Sequence, residues 1–158
     1  MLIVYNIHMF TKNENDAGSG QTEKSARPSN LSDLHILLVD DVETNRMVIK
    51  VLLAKTNIVI DEAENGEAAL DKFAKSPDGY YNAVFMDIQM PGMDGFETTR
   101  RLREMPRRDA GTTPVIAMTA DAYEEMEESG RAKMNGYLAK PVNINEMKKL
   151  LLGLLRKC

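Results

Sequence analysis

Residues 83–95 read AVFMDIQMPGMDG, and this stretch decides the fold class. It begins with four apolar residues, Ala83 to Met86, which have the length and composition of a buried β-strand. Asp87 follows, then a loop that contains Pro91, and Asp94 stands where it would cap the next helix. The stretch therefore predicts a strand, a loop and a helix in succession, with a carboxylate at the carboxyl end of the strand.

Four more apolar runs along the chain resemble the first. Near-continuous runs of this kind are typical of strands that are covered on both faces of a parallel sheet. The runs are His35–Val39, Ile58–Ile60, Val115–Met118 and Gly136–Ala139.

The segments between the runs have apolar residues three and four positions apart, which predicts amphipathic helices. Examples are Met47, Val48, Val51 and Leu52 in the first such segment and Ile144, Met147, Leu150, Leu151 and Leu154 in the last. Five strand-then-helix units with short loops predict an α/β fold with right-handed crossovers and helices on both faces of a parallel sheet.

Polar residues stand at the ends of the predicted strands, where ligands bind in such folds. They are Asp40, Asp41, Asp87, Thr119 and Lys140. Three carboxylates about 4 Å apart would repel each other by about 4 kcal/mol per pair at an effective dielectric constant of about 20. Lys140 offsets one charge, and a hard divalent cation, Mg²⁺ above all, would offset the rest. Because Mg²⁺ prefers carboxylate and phosphate oxygens, these five residues predict a phosphoryl-transfer site at this edge of the sheet.

Asp87 is the predicted nucleophile. A carboxylate can attack phosphorus without first losing a proton, and the product is an acyl phosphate. Asp41 would ligate the metal, and Asp40 would hold it directly or through water. The metal, the ammonium of Lys140 and the hydroxyl of Thr119 would stabilise charge on the equatorial phosphoryl oxygens.

The ordered set of motifs resembles the receiver family of response regulators in two-component signalling. The sequence around Asp87 is most similar to that of receivers in hybrid sensor histidine kinases. The motifs are Leu38-Val39-Asp40-Asp41, residues 86–95, Thr119-Ala120 and residues 137–141, and the resemblance covers about residues 34–156. It implies a doubly wound, flavodoxin-like (βα)5 three-layer sandwich whose five-stranded parallel sheet has the order 2-1-3-4-5.

The resemblance also implies roles for the site residues. Asp87 would take a phosphoryl group from a phosphohistidine of a sensor histidine kinase or a histidine phosphotransfer domain. Thr119 and Lys140 would contact phosphoryl oxygens, and the backbone amide of Ala120 would donate to one of them. Asp41, Asp87 and the backbone carbonyl of Gln89 would bind Mg²⁺ directly, beside Asp40, which would hold it directly or through water.

A conformational switch is implied as well. Thr119 would move toward the phosphoryl group, and Tyr137 would rotate into the space that it leaves. The fourth helix, fifth strand and fifth helix would then present an altered surface to a downstream protein. The peptide bond between Lys140 and Pro141 is expected to be cis.

The amino-terminal part of the chain differs from the rest. Residues 11–30 are almost entirely polar, which predicts a flexible segment that cannot bury enough surface to fold. We therefore expect an extension or linker over residues 1–32 and a receiver domain over residues 33–158. The first ten residues, MLIVYNIHMF, are apolar and would have to be exposed or docked somewhere.

Composition narrows the classes of partner. A formal net charge of -4 argues against binding of nucleic acid or of anionic membranes, both of which require a field of Lys and Arg. Apolar runs stay far shorter than a membrane span. One cysteine, Cys158, suits a reducing compartment, so we expect a cytoplasmic protein. Separately, we expect a monomer or a phosphorylation-dependent dimer.

Two other functions fit parts of the pattern. An aspartyl-phosphate phosphatase would need a second acid two positions after the nucleophile, where this chain has Gln89. A receiver-like interaction module that is not phosphorylated is disfavoured because all five site residues are present. We expect no enzymatic activity other than self-catalysed phosphoryl transfer and dephosphorylation. The chain is expected to be either free-standing or part of a larger histidine kinase.

Overall fold

The computed structural model describes residues 30–120 and 132–157, with side chains described up to residue 154. Three features of the sequence fall elsewhere. The predicted linker up to residue 29, the helix expected between the fourth and fifth strands at residues 121–131, and Cys158 all lie outside the described residues.

Five parallel strands form one sheet in the order β2-β1-β3-β4-β5, which confirms the predicted fold class and strand order. The strands are β1 His35–Val39, β2 Val59–Ala63, β3 Ala83–Asp87, β4 Val115–Thr119 and β5 Gly136–Ala139. The second strand extends to Ala63, beyond the apolar run that predicted it, because a partly exposed edge strand accommodates polar residues such as Asp61 and Glu62.

Four α-helices lie among the described residues: α1 Glu43–Leu53, α2 Gly66–Lys75, α3 Gly95–Arg103 and α4 Ile144–Lys157. The predicted cap of α3 is confirmed, since the Asp94 side chain accepts a 2.7 Å hydrogen bond from the amide of Glu97. Asn65 caps α2 in the same way through the amide of Ala68. Each of these helices is too short or too polar to cross a lipid bilayer.

The sheet separates two apolar cores. One lies between the sheet and α2 and α3 and contains Phe73 and Leu102. The other lies on the opposite face, where Leu38 and Phe85 pack with Leu53 of α1 and Met147 of α4. The central strands β3 and β4 are buried along their whole length, as the near-continuous apolar runs predicted.

The outward face of α1 corrects one interpretation of the sequence. The four apolar residues whose spacing predicted this helix are all exposed, with Val51 at 68% and Met47 at 58%. Ile49 and Leu53, four positions apart, face the core instead. The spacing was right about the helix, but the apolar side with four members is the one that points away from the sheet.

Candidate functional site

Parallel strands deliver the predicted site residues to one edge of the sheet. Asp87 ends β3 and Thr119 ends β4, while Asp40 and Lys140 come directly after β1 and β5. Backbone bonds fix the alignment: the Lys140 amide donates to the Thr119 carbonyl at 2.7 Å, and the Asp40 amide donates to the Ala63 carbonyl at 3.2 Å. The strand ends therefore lie side by side although they come from distant parts of the sequence.

Three carboxylates converge at this edge. One oxygen each of Asp40, Asp41 and Asp87 lies within 4.8 Å of the others. Asp40 is fully buried and Asp87 is 3% exposed, whereas Asp41 faces solvent. A set of hard oxygen donors, half-open to water, is the chemistry that Mg²⁺ prefers. The residues present thus fit the metal that the sequence predicted.

The Lys140 ammonium joins two of these carboxylates. Its Nζ donates to Asp40 Oδ2 at 2.9 Å and lies 2.8 Å from Asp87 Oδ2. Burial alone lowers the pKa of Lys140, but the bonds to Asp87 and Asp40 outweigh it and raise the pKa above its ordinary value. The lysine therefore remains cationic at neutral pH and partly neutralises the acidic cluster.

Asp87 experiences opposing influences. Burial raises its pKa above the ordinary value, and the negative charge of Asp40 adds to this effect. The Lys140 ammonium and the amide of Gln89, which donates to Asp87 Oδ1 at 3.2 Å, act in the other direction. A cation bound at this edge would favour the ionised carboxylate, which is the form that can attack phosphorus.

Asp40 is held by groups that the sequence analysis did not identify. Its Oδ1 accepts bonds from the Val42 amide at 2.9 Å and from Asn45 Nδ2 at 3.1 Å. The Arg46 guanidinium donates to the Asp40 carbonyl at 2.7 Å. Asn45 and Arg46 lie in the first turns of α1. The one sequence feature that could have identified them is their position, five and six residues after an aspartate at the end of a strand.

The remaining predicted residues lie close by in the fold. Thr119 is 2% exposed, and Ala120 follows it at the surface. Tyr137 is half-buried on β5 and packs against the core on the α2 and α3 side. The bond between Lys140 and Pro141 is cis, as expected.

Comparison with known proteins gives a family match over most of the chain. Residues 36–152 match the sequence model of the family described as "Response regulator receiver domain". Peroxide stress-activated histidine kinase mak3 of Schizosaccharomyces pombe is 36% identical over 122 residues, which are 76% of this chain and 5% of the kinase. The chain thus spans a small fraction of the length of that relative.

Two solved structures share the fold. The receiver domain of sensor histidine kinase PA1611 from Pseudomonas aeruginosa PAO1, solved with a magnesium ion in its active site cleft, is 31% identical with a TM-score of 0.69. That alignment covers 77% of this chain and 97% of the other. The Saccharomyces cerevisiae complex of histidine phosphotransfer protein Ypd1 with the Ssk1 receiver domain contains a chain that is 25% identical, with a TM-score of 0.67 and coverage of 75% and 86%.

Proposed function

The chain belongs to the response regulator receiver family of two-component phosphorelay signalling, and on this premise we propose that Asp87 is its phosphoryl acceptor. The observation that carries the proposal is the Lys140 ammonium, which lies within 2.9 Å of both Asp40 and Asp87. Such a constellation holds a carboxylate nucleophile beside a fixed positive charge and a set of metal-binding oxygens.

The reaction exchanges one bond to phosphorus for another. An oxygen of Asp87 attacks the phosphorus of a phosphohistidine, the bond between nitrogen and phosphorus breaks, and the imidazole leaves. Mg²⁺ held by Asp40, Asp41, Asp87 and the Gln89 carbonyl would neutralise charge on the transferring group. Lys140 exchanges its contact with Asp87 for one with a phosphoryl oxygen.

The neighbouring residues complete the proposed site. The hydroxyl of Thr119 and the amide of Ala120 donate to phosphoryl oxygens. Tyr137 on β5 responds to the movement of Thr119. The surface that consists of β5, α4 (the fifth helix of the sequence prediction) and the helix predicted between β4 and β5 then binds a downstream protein. Hydrolysis of the acyl phosphate returns the domain to its starting state without turnover of a separate substrate.

The partners are proposed from the relatives. A sensor histidine kinase or a histidine phosphotransfer protein would supply the phosphoryl group, as the Ypd1 and Ssk1 complex suggests by analogy. We place this exchange in the cytoplasm, in a domain over residues 33–158 that follows a linker over residues 1–32, and in a monomer or a phosphorylation-dependent dimer.

Phosphate labelling tests the acceptor. The chain is incubated with ³²P-labelled acetyl phosphate and Mg²⁺, and Asp87→Asn should abolish incorporation. The label on the native chain should be released by hydroxylamine, which cleaves acyl phosphates. The matched control is Asp71→Asn, because Asp71 is an exposed carboxylate on α2 that pairs only with Lys75 in the described residues. Undiminished labelling of Asp87→Asn would refute the assignment.

A further inference from the structure

The Asp40 carboxylate is hydrogen-bonded on both of its oxygens. Asp40 is fully buried, so protein groups rather than bulk water must satisfy these oxygens. Oδ1 accepts from the Val42 amide at 2.9 Å, and Oδ2 accepts from Lys140 Nζ at 2.9 Å. Asn45 Nδ2 lies 3.1 Å from Oδ1 and 3.2 Å from Oδ2. The Asn45 side chain is therefore shared between the two oxygens.

This shared bond restricts the rotation of the carboxylate. An ionised carboxylate can only accept hydrogen bonds, so the amide nitrogen of Asn45, and not its carbonyl oxygen, faces Asp40. A nitrogen with two N–H groups can donate to both oxygens at once. With Val42 on one oxygen and Lys140 on the other, the bonds of Asn45 fix the plane of the carboxylate relative to the end of β1.

The next residue of α1 secures the backbone of Asp40 instead. Arg46 Nη1 donates to the Asp40 carbonyl at 2.7 Å, and Arg46 Nε donates to Glu62 of β2 at 3.2 Å. The amides of Asn45 and Arg46 both donate to the Val42 carbonyl, so the two side chains leave the same turn of the helix. Arg46 thus holds the main chain of Asp40, and Asn45 holds its carboxylate.

We propose that Asn45 is a positioning residue of the site, which holds the Asp40 carboxylate in the orientation that Mg²⁺ and Lys140 require. This role rests on the proposed function, in which Lys140 leaves Asp87 for a phosphoryl oxygen. Asp40 is then the carboxylate that Lys140 keeps among those it contacts in the described part of the chain. The orientation of Asp40 Oδ2 therefore limits where the ammonium can move.

A purely structural role for Asn45 leads to a different expectation. If Asn45 only satisfied a buried charge and stabilised the start of α1, its loss would lower the free energy of unfolding and leave the affinity of the folded chain for Mg²⁺ unchanged. A positioning role lowers that affinity. Loss of a group that orients a metal-binding carboxylate costs about 10–100-fold in metal affinity. Binding of Mg²⁺ to the folded chain therefore separates the two roles.

Titration with MgCl₂ in the absence of a phosphoryl donor tests the proposal. The NMR signals of the Asp41 and Gln89 backbone amides report binding in the ¹⁵N-labelled full chain. Asn45→Leu keeps a side chain that branches at the same atom but removes the donor. This variant should raise the dissociation constant of Mg²⁺ at least about tenfold. A dissociation constant equal to that of the native chain would overturn the positioning role.

Two further variants make the test specific to the donor. Asn45→Gln retains a carboxamide, and a cavity of about 250 Å³ that Asn45 lines with Val48 and Val142 has room for the extra methylene group. This variant should recover most of the affinity that Asn45→Leu loses. The matched control is Thr44→Val, an exposed position in the same turn, which should bind Mg²⁺ as the native chain does. Equal losses in Asn45→Gln and Asn45→Leu, or in Thr44→Val and Asn45→Leu, would overturn the proposal.

Two measurements on the same proteins separate this proposal from the proposed function. Urea unfolding in EDTA verifies that each variant is folded under the conditions of the titration, and labelling by acetyl phosphate verifies that the native chain is phosphorylated. If the native chain bound no Mg²⁺, the metal site would be refuted and the role of Asn45 with it. If the native chain bound Mg²⁺ and was labelled, but Asn45→Leu bound Mg²⁺ equally well, only the role of Asn45 would be refuted.

Discussion

Gly95 lies so close to the backbone carbonyl of Asp87, where the loop after β3 returns to begin α3, that no side chain fits between them. The amide of Gly95 donates to the carbonyl of Ile88 at 3.0 Å. A β-carbon at position 95 would overlap the Asp87 oxygen and would lie 2.9 Å from the Ile88 α-carbon. The first residue of α3 thus fixes the backbone that carries the proposed phosphoryl acceptor.

Gly95→Ala should therefore impair both stability and phosphorylation. The new methyl group meets rigid backbone rather than a movable side chain, so we expect a loss of about 3 kcal/mol in the free energy of unfolding. Displacement of Asp87 should also slow labelling by acetyl phosphate. Urea unfolding and labelling rates measure the two effects.

The control is the same substitution where space is open. A β-carbon at Gly153 of α4 would meet no atom of the described residues within 4 Å. Gly153→Ala should raise the free energy of unfolding by about 0.5–1 kcal/mol, because alanine favours helix. If Gly95→Ala were as stable as the native chain, the close approach would not constrain this loop.

Mg²⁺ should stabilise the native chain. A ligand that binds only the folded state at one hundred times its dissociation constant adds about 2.7 kcal/mol. Asp41→Asn should remove most of this increment, and because Asp41 is exposed the substitution should cost little stability by itself. Thermal unfolding with and without millimolar Mg²⁺ measures the effect. Equal increments in Asp41→Asn and in the native chain would remove Asp41 from the ligand set.

The predictions of family, fold and function are confirmed, and the reasons lie in particular residues. Apolar runs such as Val84–Met86 predicted the central strands because a strand buried on both faces leaves no polar position in its sequence. Asp40, Asp87 and Lys140 could be grouped from the sequence because parallel strands end at one edge of a sheet. Their chemical roles are not tested by the fold and remain predictions.

Other features could not be predicted because they depend on how elements rotate and pack. The helical spacing of α1 gave two apolar sides, and only the packed structure shows that Ile49 rather than Val48 faces the sheet. The bonds from Asn45 and Arg46 to Asp40 likewise require α1 to begin beside the end of β1. Neither relationship has a periodic signature in the sequence.

Lys140→Met should destabilise the chain most at neutral and alkaline pH in the absence of Mg²⁺. The substitution leaves Asp40 and Asp87 buried without their shared cation. We expect a loss of about 2–3 kcal/mol at pH 8, less than for a fully buried pair because Lys140 is partly exposed. The pKa of Asp87, already raised by burial, should rise further. Because Asp87 then binds a proton more tightly in the folded chain than in the unfolded chain, lowering the pH stabilises the folded variant. The loss in the free energy of unfolding should therefore be smaller at pH 5 than at pH 8.

Urea unfolding at the two pH values in EDTA measures this difference. Added Mg²⁺ should recover part of the loss, because it supplies positive charge to the same carboxylates. A loss of equal size at pH 5 and pH 8 would show that Lys140 stabilises the domain through packing rather than through charge.

The pairing of Arg107 with Asp109 predicts a loss of stability in acid. Arg107 Nε and Nη2 donate to the two carboxylate oxygens of Asp109, each at 2.9 Å, and the Gly79 amide donates at 2.7 Å. Arg107 also donates to the carbonyl oxygens of Phe73 and Ser76, so the pair ties the end of α2 to the loop before β4. The Arg107 bond is the largest of the influences that lower the pKa of Asp109.

The direction of the pH dependence follows from that lowered pKa. Asp109 contributes stability at pH values above its unfolded pKa of about 3.9, and the contribution is lost as the pH falls through the lower folded value. Asp109→Asn should therefore cost about 2 kcal/mol at pH 7, the range of charge-assisted hydrogen bonds, and progressively less below pH 4. Asp71→Asn, which removes an exposed pair on α2, should cost no more than about 0.5 kcal/mol at either pH. Urea unfolding at pH 7 and pH 3 measures both variants, and a deficit of Asp109→Asn that stayed constant between them would show that the carboxylate charge does not stabilise this corner of the fold.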